Sequence, residues 1–156
     1  GTYITTTNLT EKDKERISNL HLGPFYISVH TTNPELRVKM LRNPNAGKIM
    51  DNLRWFKEND IPFHAQIVLC PDYNDGEELE RTLKDLSTLD DALLSVAIVP
   101  VGVTQFRDKE LKIVDKNQSR LILPFLTKNF NYYFILCKNA QNIDKITQIH
   151  IIYLLQ

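Results

Sequence analysis

The sequence predicts an α/β fold on a parallel sheet and, within that class, part of a TIM-like (β/α) barrel. Three stretches carry the prediction: Tyr26 to Leu41, Gln66 to Asp75, and Val96 to Gly102. Each is strand-like, ends in polar or special residues and enters a loop, and helical sequence follows the first two. Polar groups at the carboxyl ends of successive βα units are where an α/β barrel keeps its chemistry.

Taken in order, Tyr3-Ile-Thr-Thr-Thr7 reads as a strand already in progress. Thr10 caps the helix that follows, Asp13 stands at the capping-box position, and Ile17 and Leu20 share one face. Gly23-Pro24 breaks that helix at about Leu20. Phe25 to His30 is the second strand, with Tyr26, Ser28 and His30 on one face and Ile27 and Val29 on the other. Asn33-Pro34-Glu35 starts a helix: Asn caps, Pro fits the first position, and Glu suits the positive end of the helix dipole. A further helix is expected over Ala46 to Asn59, with Ile49, Leu53 and Phe56 as its buried stripe. Ile61-Pro62 leads into a strand over Phe63 to Cys70, and Pro71 to Asp75 forms a loop. The helix Gly76 to Leu86 carries Leu79, Leu83 and Leu86, and Asn74 or Asp75 caps it. Leu93 to Val101 is β-branched and almost wholly apolar, as buried parallel strands are. Strands alternating with helices imply βαβ units and right-handed crossovers. These elements amount to about half of a closed eightfold barrel, which takes roughly 250 residues.

With 156 residues, 42% of them hydrophobic, the chain holds enough apolar side chain for a real core. Nineteen basic and nineteen acidic residues cancel, so no global field favours nucleic acid or a membrane surface. The apolar runs are strand-length, too short for a membrane span. Two cysteines, Cys70 and Cys137, make neither a disulfide framework nor a metal-cluster motif, and a cytosolic, reducing setting is the default expectation. The first residue is Gly rather than Met, which reads as a chain cut from something longer or as the scar of a tag.

The sequence changes character near its end, dividing into residues 1–123 and a tail over 124–156. From Phe125 to Gln156 there is no Gly, Pro, Glu, Ser, Val or Arg, and Ile, Asn, Lys, Tyr and Phe crowd the segment. These are residues favoured by AT-rich codons. Two readings stay open: a divergent helix–strand ending, or translation past a frameshift joined near Leu123 to Lys128.

Ser28 and His30, two residues apart, are placed to point into the barrel, where a hydroxyl and an imidazole can bind a ligand's ribose or carboxylate. The plainer reading is a histidine satisfied by a polar neighbour. Gln66 in mid-strand calls for a polar lumen or a ligand, because an unpartnered amide inside a sheet is costly. His64 falls at the amino end of its strand and reads as structural; Cys70 reads as a small buried hydrophobe. Pro100-Val-Gly102 lets backbone approach a ligand at the end of the fourth strand, or Gly102 supplies a positive φ. No pair among His30, His64, Cys70 and Cys137 has metal-ligand spacing, so no metal site is expected. A glycine-rich phosphate loop, a nucleophile elbow and a basic–aromatic RNA pattern are all lacking.

Several stretches resemble one family. They are Tyr3-Ile-Thr-Thr-Thr-Asn-Leu-Thr10, Ser28-Val-His-Thr-Thr-Asn-Pro-Glu-Leu-Arg37, Gln66-Ile-Val-Leu-Cys-Pro71, Asn74-Asp-Gly-Glu-Glu-Leu-Glu-Arg-Thr82 and Ser95-Val-Ala-Ile-Val-Pro-Val-Gly-Val-Thr104. The family is the radical S-adenosylmethionine (radical SAM) proteins that carry a C-terminal domain of unknown function, DUF512. These are often described as iron–sulfur oxidoreductases with a PDZ-like N-terminal domain. The resemblance runs from residue 1 to about 107, weakens through Lys109 to Leu123 and is absent from the tail. It implies a partial (β/α)6 barrel with a [4Fe–4S] cluster on a Cys-x3-Cys-x2-Cys loop. The cluster's open iron binds S-adenosylmethionine, whose reductive cleavage gives a 5′-deoxyadenosyl radical that abstracts hydrogen from a substrate.

By the same resemblance, Ser28 matches a SAM-contacting position at the end of the fourth barrel strand. His30 matches the adjacent inward residue, where the wider superfamily often has Asp. Gln66 matches an inward polar position on the fifth strand, and Pro100 to Gly102 the end of the sixth, near the adenine. Two departures stand out. Asp72 occupies a position where the family usually has Gly, and the cluster-binding cysteine motif is missing, its expected place being before residue 1. The resemblance therefore implies a fragment of a radical SAM enzyme: the C-terminal half of the barrel, inactive alone. Two other functions fit the residues: a different α/β-barrel enzyme using His30 and Gln66, or a non-catalytic half-barrel that binds a partner or self-associates through open sheet edges.

Overall fold

The computed structural model describes residues 2–101, Phe134–Leu136 and His150–Ile151. The elements alternate: helix α1 (Glu11–Asn19), strand β1 (Phe25–Ser28), helices α2 (Pro34–Leu41) and α3 (Ile49–Glu58), strand β2 (Phe63–Leu69), helix α4 (Gly76–Ser87) and strand β3 (Leu93–Pro100). β1, β2 and β3 pair in parallel in that order. Phe134–Leu136 (β4) adds in parallel to β3, and His150–Ile151 (β5) runs antiparallel to β4. The domain boundary expected at residue 123, Gly102 and Cys137 lie outside the described residues.

Local chemistry accounts for most element ends. Thr10 and Asp13 form the expected capping box, with the Asp13 N–H donating to Thr10 Oγ1 at 3.2 Å and the Thr10 N–H to Asp13 Oδ2 at 2.9 Å. Asn33 caps α2, its Oδ1 accepting the Leu36 N–H at 3.2 Å, and Pro34 takes the first turn. The expected helix over Ala46 to Asn59 is divided. Pro44–Lys48 is a 3-10 turn, and the α-helix begins at Ile49. Gly47 sits tight against α2, where a Cβ would lie 3.3 Å from the Pro34 side chain.

Three sequence expectations are corrected. Leu20 does not share the buried face of Ile17. It is the C-cap residue of α1, off the helical path, and is 58% exposed. The strand expected over Tyr3 to Thr7 contracts to one parallel bridge between Ile4 and Ile27. In it the Ile4 N–H donates to Tyr26 O and the Ser28 N–H to Ile4 O, both at 2.8 Å. The strand expected to reach His30 stops at Ser28. His30 has φ 64°, in the left-handed region, so the alternation of faces ends before it.

The core lies on one side of the sheet. Ile27, Val29, Phe63, Ala65, Ile67, Val96 and Ile98 are buried there. They pack with Ile17 of α1, with Ile49, Leu53 and Phe56 of α3, and with Leu79, Leu83 and Leu86 of α4. Burying each large side chain contributes about 1.5–3 kcal/mol. A doubly wound sheet would carry helices on both faces. Here the other face, His64, Gln66 and Val68 on β2, stays only half-buried. The described residues are thus an arc of a (β/α) barrel with its concave side open.

Arg37 ties this arc together. It is fully buried on α2 and meets no carboxylate among the described residues. Its guanidinium donates instead to four backbone carbonyls: Nε to Val29 O at 2.8 Å, Nη1 to Ala46 O at 2.6 Å, and Nη2 to Thr5 O at 2.9 Å and Ser28 O at 2.7 Å. Burial lowers its pKa to about 10, which still leaves it charged at neutral pH. The planar fork joins the N-terminal segment, the end of β1 and the turn before α3, a geometry that lysine cannot copy. Replacing Arg37 with Met orphans several buried acceptors at about 1–3 kcal/mol each. Arg37→Met and Arg37→Lys are both expected to lower stability by about 3 kcal/mol or more. A urea unfolding midpoint equal to the parent's in either variant would show that the clamp is dispensable.

Candidate cofactor-facing site

Strand register sorts the concave face into layers. At the amino end, His64 stands beside Tyr26 on β1 and Ser95 on β3. The His64 ring stacks on Tyr26 with centroids 4.7 Å apart, Tyr3 meets Tyr26 edge-on at 5.4 Å, and His64 Nδ1 lies 2.7 Å from Ser95 Oγ. Partial burial lowers the His64 pKa. The imidazole is thus paired on both flanks, in keeping with its structural reading.

One layer further on, Ser28 pairs in register with Gln66, and Gln66 with Ala97. Ser28 is 8% exposed and Gln66 half-buried. Neither side chain has a hydrogen-bond partner among the described residues. No buried side-chain N or O atom among those residues is left unpaired, so both polar groups open onto the concave side. Pro100 ends β3 opposite Leu69 on β2.

His30 lies at the carboxyl edge of this face, beyond the end of β1. Its ring does what a longer strand would have done: Nδ1 accepts the Val68 N–H at 3.2 Å. Its own N–H donates to Gln66 O at 3.2 Å. Burial first, and the Arg37 charge second, lower its pKa to about 4, so the ring is neutral at pH 7. The sequence considered a polar side chain as its partner, whereas the structure supplies a backbone amide.

Two features escaped the sequence reading. Asn74 does not cap α4; Asp75 is the N-cap and makes no side-chain capping bond. The fully buried Asn74 amide accepts the Cys70 N–H at 2.7 Å and donates to His30 O at 2.7 Å and Val68 O at 3.0 Å. The loop after β1 is also tethered to α4. Thr31 Oγ1 and Asn33 Nδ2 donate to the two Glu78 oxygens at 2.8 and 3.2 Å, and Thr32 Oγ1 donates to Asp85 Oδ2 at 2.6 Å. The Thr32 N–H reaches Thr82 Oγ1 at 3.2 Å. A run of small hydroxyls before a helix cap was the available signal, but its partners lie about fifty residues away.

A protein-family model described as "Radical SAM-like domain" matches residues 1–96. The chain belongs to the radical SAM-like domain family. No curated protein matches it. Its fold is similar to that of a domain of pyruvate-formate lyase-activating enzyme from Bacteroides vulgatus ATCC 8482. That match has a TM-score of 0.66 and 16% identity, covering 85% of this chain and 78% of the other. A radical SAM methyltransferase from Sphaerobacter thermophilus matches at a TM-score of 0.55 and 19% identity, over 81% of this chain and 38% of that one. At these identities the likeness is one of fold.

Radical SAM chemistry implies S-adenosylmethionine and an iron–sulfur cluster, and the two fit the described residues differently. Among them no group of three or more His, Cys, Asp or Glu is placed to hold a metal ion. Cys70 is buried, its Sγ 3.7 Å from Val68 O, and cannot supply a cluster's set of thiolates. The open Ser28 and Gln66 groups do suit a polar organic ligand. Also among the described residues, no helix is long and apolar enough to cross a membrane.

The depressed His30 pKa makes stability depend on pH. Between the unfolded value of 6.5 and the folded value of about 4, the unfolded chain binds more protons. Stability from this group is therefore complete above about pH 6.5, falls as pH drops toward 4 and levels off below. Asn also tolerates φ near +60°, so His30→Asn removes the titration while keeping the backbone. Urea midpoints should show the parent losing of the order of 2 kcal/mol more than His30→Asn between pH 7.5 and pH 4. Parallel pH profiles would contradict this.

Proposed function

We propose that the concave face around Ser28, Gln66 and His30 binds S-adenosylmethionine, as one wall of a radical SAM barrel of the DUF512-containing branch. The observation that carries this reading is the pair of unpartnered polar groups. Ser28, at the end of β1, and Gln66, in the middle of β2, are register partners on a sheet whose other face is apolar. Such groups are kept in a sheet where a ligand completes them. Membership of the family supplies the ligand's identity, and the motif stretches supply the branch.

In this reading the Ser28 hydroxyl donates to or accepts from a ribose hydroxyl, and the Gln66 amide does the same beside it. His30 borders the same end of the sheet, and by the family resemblance Pro100 and Gly102 match positions near the adenine. Held by an iron–sulfur cluster, S-adenosylmethionine would supply radical chemistry for hydrogen abstraction. The described residues contribute binding and orientation, and no step through a cluster is assigned to them. The wider setting belongs to the same proposal: a domain inactive alone and a reducing cytosolic compartment.

Isothermal titration with S-adenosylhomocysteine, a stable probe with the same adenosyl group, tests the face directly. Binding is expected, and Ser28→Ala and Gln66→Leu should each weaken it about 5- to 20-fold, the value of one to two lost hydrogen bonds. Absence of binding to the parent chain, or unchanged affinity in both variants, would remove the face from consideration.

A further inference from the structure

Every hydrogen-bonding group of His30 except one is occupied. Its N–H donates to Gln66 O, its carbonyl accepts from Asn74 Nδ2, and its ring Nδ1 accepts from the Val68 N–H. A backbone N–H can only donate, so Nδ1 must present its lone pair and the ring proton sits on Nε2. Nε2 has no partner among the described residues, and since no buried side-chain N or O atom there is left unpaired, it is open to solvent.

The arrangement holds a non-glycine residue at φ 64°, which persists only where its surroundings fix it. Asn74 is the part that fixes it. Its amide grips the carbonyls of His30 and Val68 and the N–H of Cys70, joining the ends of β1 and β2 and the loop that follows β2. Val68 is held through its carbonyl by Asn74 and in turn holds the ring through its N–H.

We propose that Asn74 is a positioning residue: it locks the ends of β1 and β2 so that His30 is presented as a neutral donor, Nε2–H outward, to an oxygen acceptor of the bound ligand. That ligand's identity as S-adenosylmethionine rests on the function proposed above. His30 then acts as a fixed hydrogen-bond donor with no role as acid or base, and ligand affinity does not change with its titration between pH 5.5 and 8. Its lowered pKa agrees with this, burial being the larger cause. Arg37 on α2 disfavours a second positive charge. Glu78 and Asp85 on α4 accept from Thr31, Asn33 and Thr32, and Asp75 accepts the Asp72 N–H.

Long-range proton–nitrogen NMR of the 15N-labelled chain reads the tautomer of each histidine directly. His30 should show a protonated Nε2 and a bare Nδ1, unchanged from pH 8 to 5.5. Asn74→Ala should give mixed tautomers or a titration near the ordinary imidazole range, with S-adenosylhomocysteine affinity lowered about tenfold and newly pH-dependent. A parent His30 protonated on Nδ1, or titrating near pH 6.5, overturns the proposal, as does an Asn74→Ala ring identical to the parent's. If Asn74→Ala does not fold, the parent's spectrum and His30→Asn decide. Asn accepts the Val68 N–H through Oδ1, and its Nδ2 donors, bonded to Cγ, stop short of the position of Nε2–H, so unchanged probe affinity in that variant also overturns the proposal. Failure of the probe to bind the parent defeats the cofactor reading alone, because the tautomer is measured without it.

Discussion

The buried guanidinium of Arg37 is the constraint on which the rest of this structure depends. A charge inside a protein normally needs an opposite charge, but here the compensation comes from four carbonyl dipoles on three separate segments. The carbonyls of Ser28 and Val29 lie at the point where β1 ends, so the clamp sets where the sheet stops and the candidate site begins. Its charge also reaches His30 and helps keep that ring neutral. Stability and the electrostatics of the site therefore share one side chain.

The sheet separates two kinds of chemistry by strand periodicity alone. On one face, alternate residues of β1, β2 and β3 pack with three helices into a dry core. On the other, the same strands show aromatic and hydroxyl groups at the amino end and unpartnered polar groups toward the carboxyl end. Polar groups at the amino end pair with one another; those further along are left for something else. This gradient leaves the unpartnered groups toward the carboxyl side, the side on which α/β barrels keep their chemistry.

The loop after β1 shows how a short segment becomes rigid without regular structure. Thr31, Thr32 and Asn33 send their side chains and one backbone amide to Glu78, Thr82 and Asp85 on α4, while Asn74 holds the residue before them. These bonds are individually modest, but they share a rigid helix as anchor. An edge built in this way is preorganised, which keeps the ordering cost of binding anything there low.

What could be read in advance was local. Thr10 with Asp13, Asn33 with Pro34, and the stripe of Ile49, Leu53 and Phe56 specify their elements because every partner lies within one or two helical turns. The family resemblance was legible for a similar reason, since its motifs are contiguous. The placement of Ser28 and Gln66 on one face followed from strand alternation. The left-handed turn at His30, the burial of Arg37 and the role of Asn74 were not legible, because each depends on groups that only folding brings near. An arginine on a helix reads as a solvated charge until the carbonyls of Thr5 and Ala46 close around it, and an asparagine before Asp-Gly reads as a cap until His30 and Val68 are beside it. The sequence by itself determined most of the elements, the parallel sheet and the family. The tertiary structure decided which polar groups are spent on holding the fold and which remain free to bind, because hydrogen bonds between distant segments are settled only once burial removes water as the alternative partner.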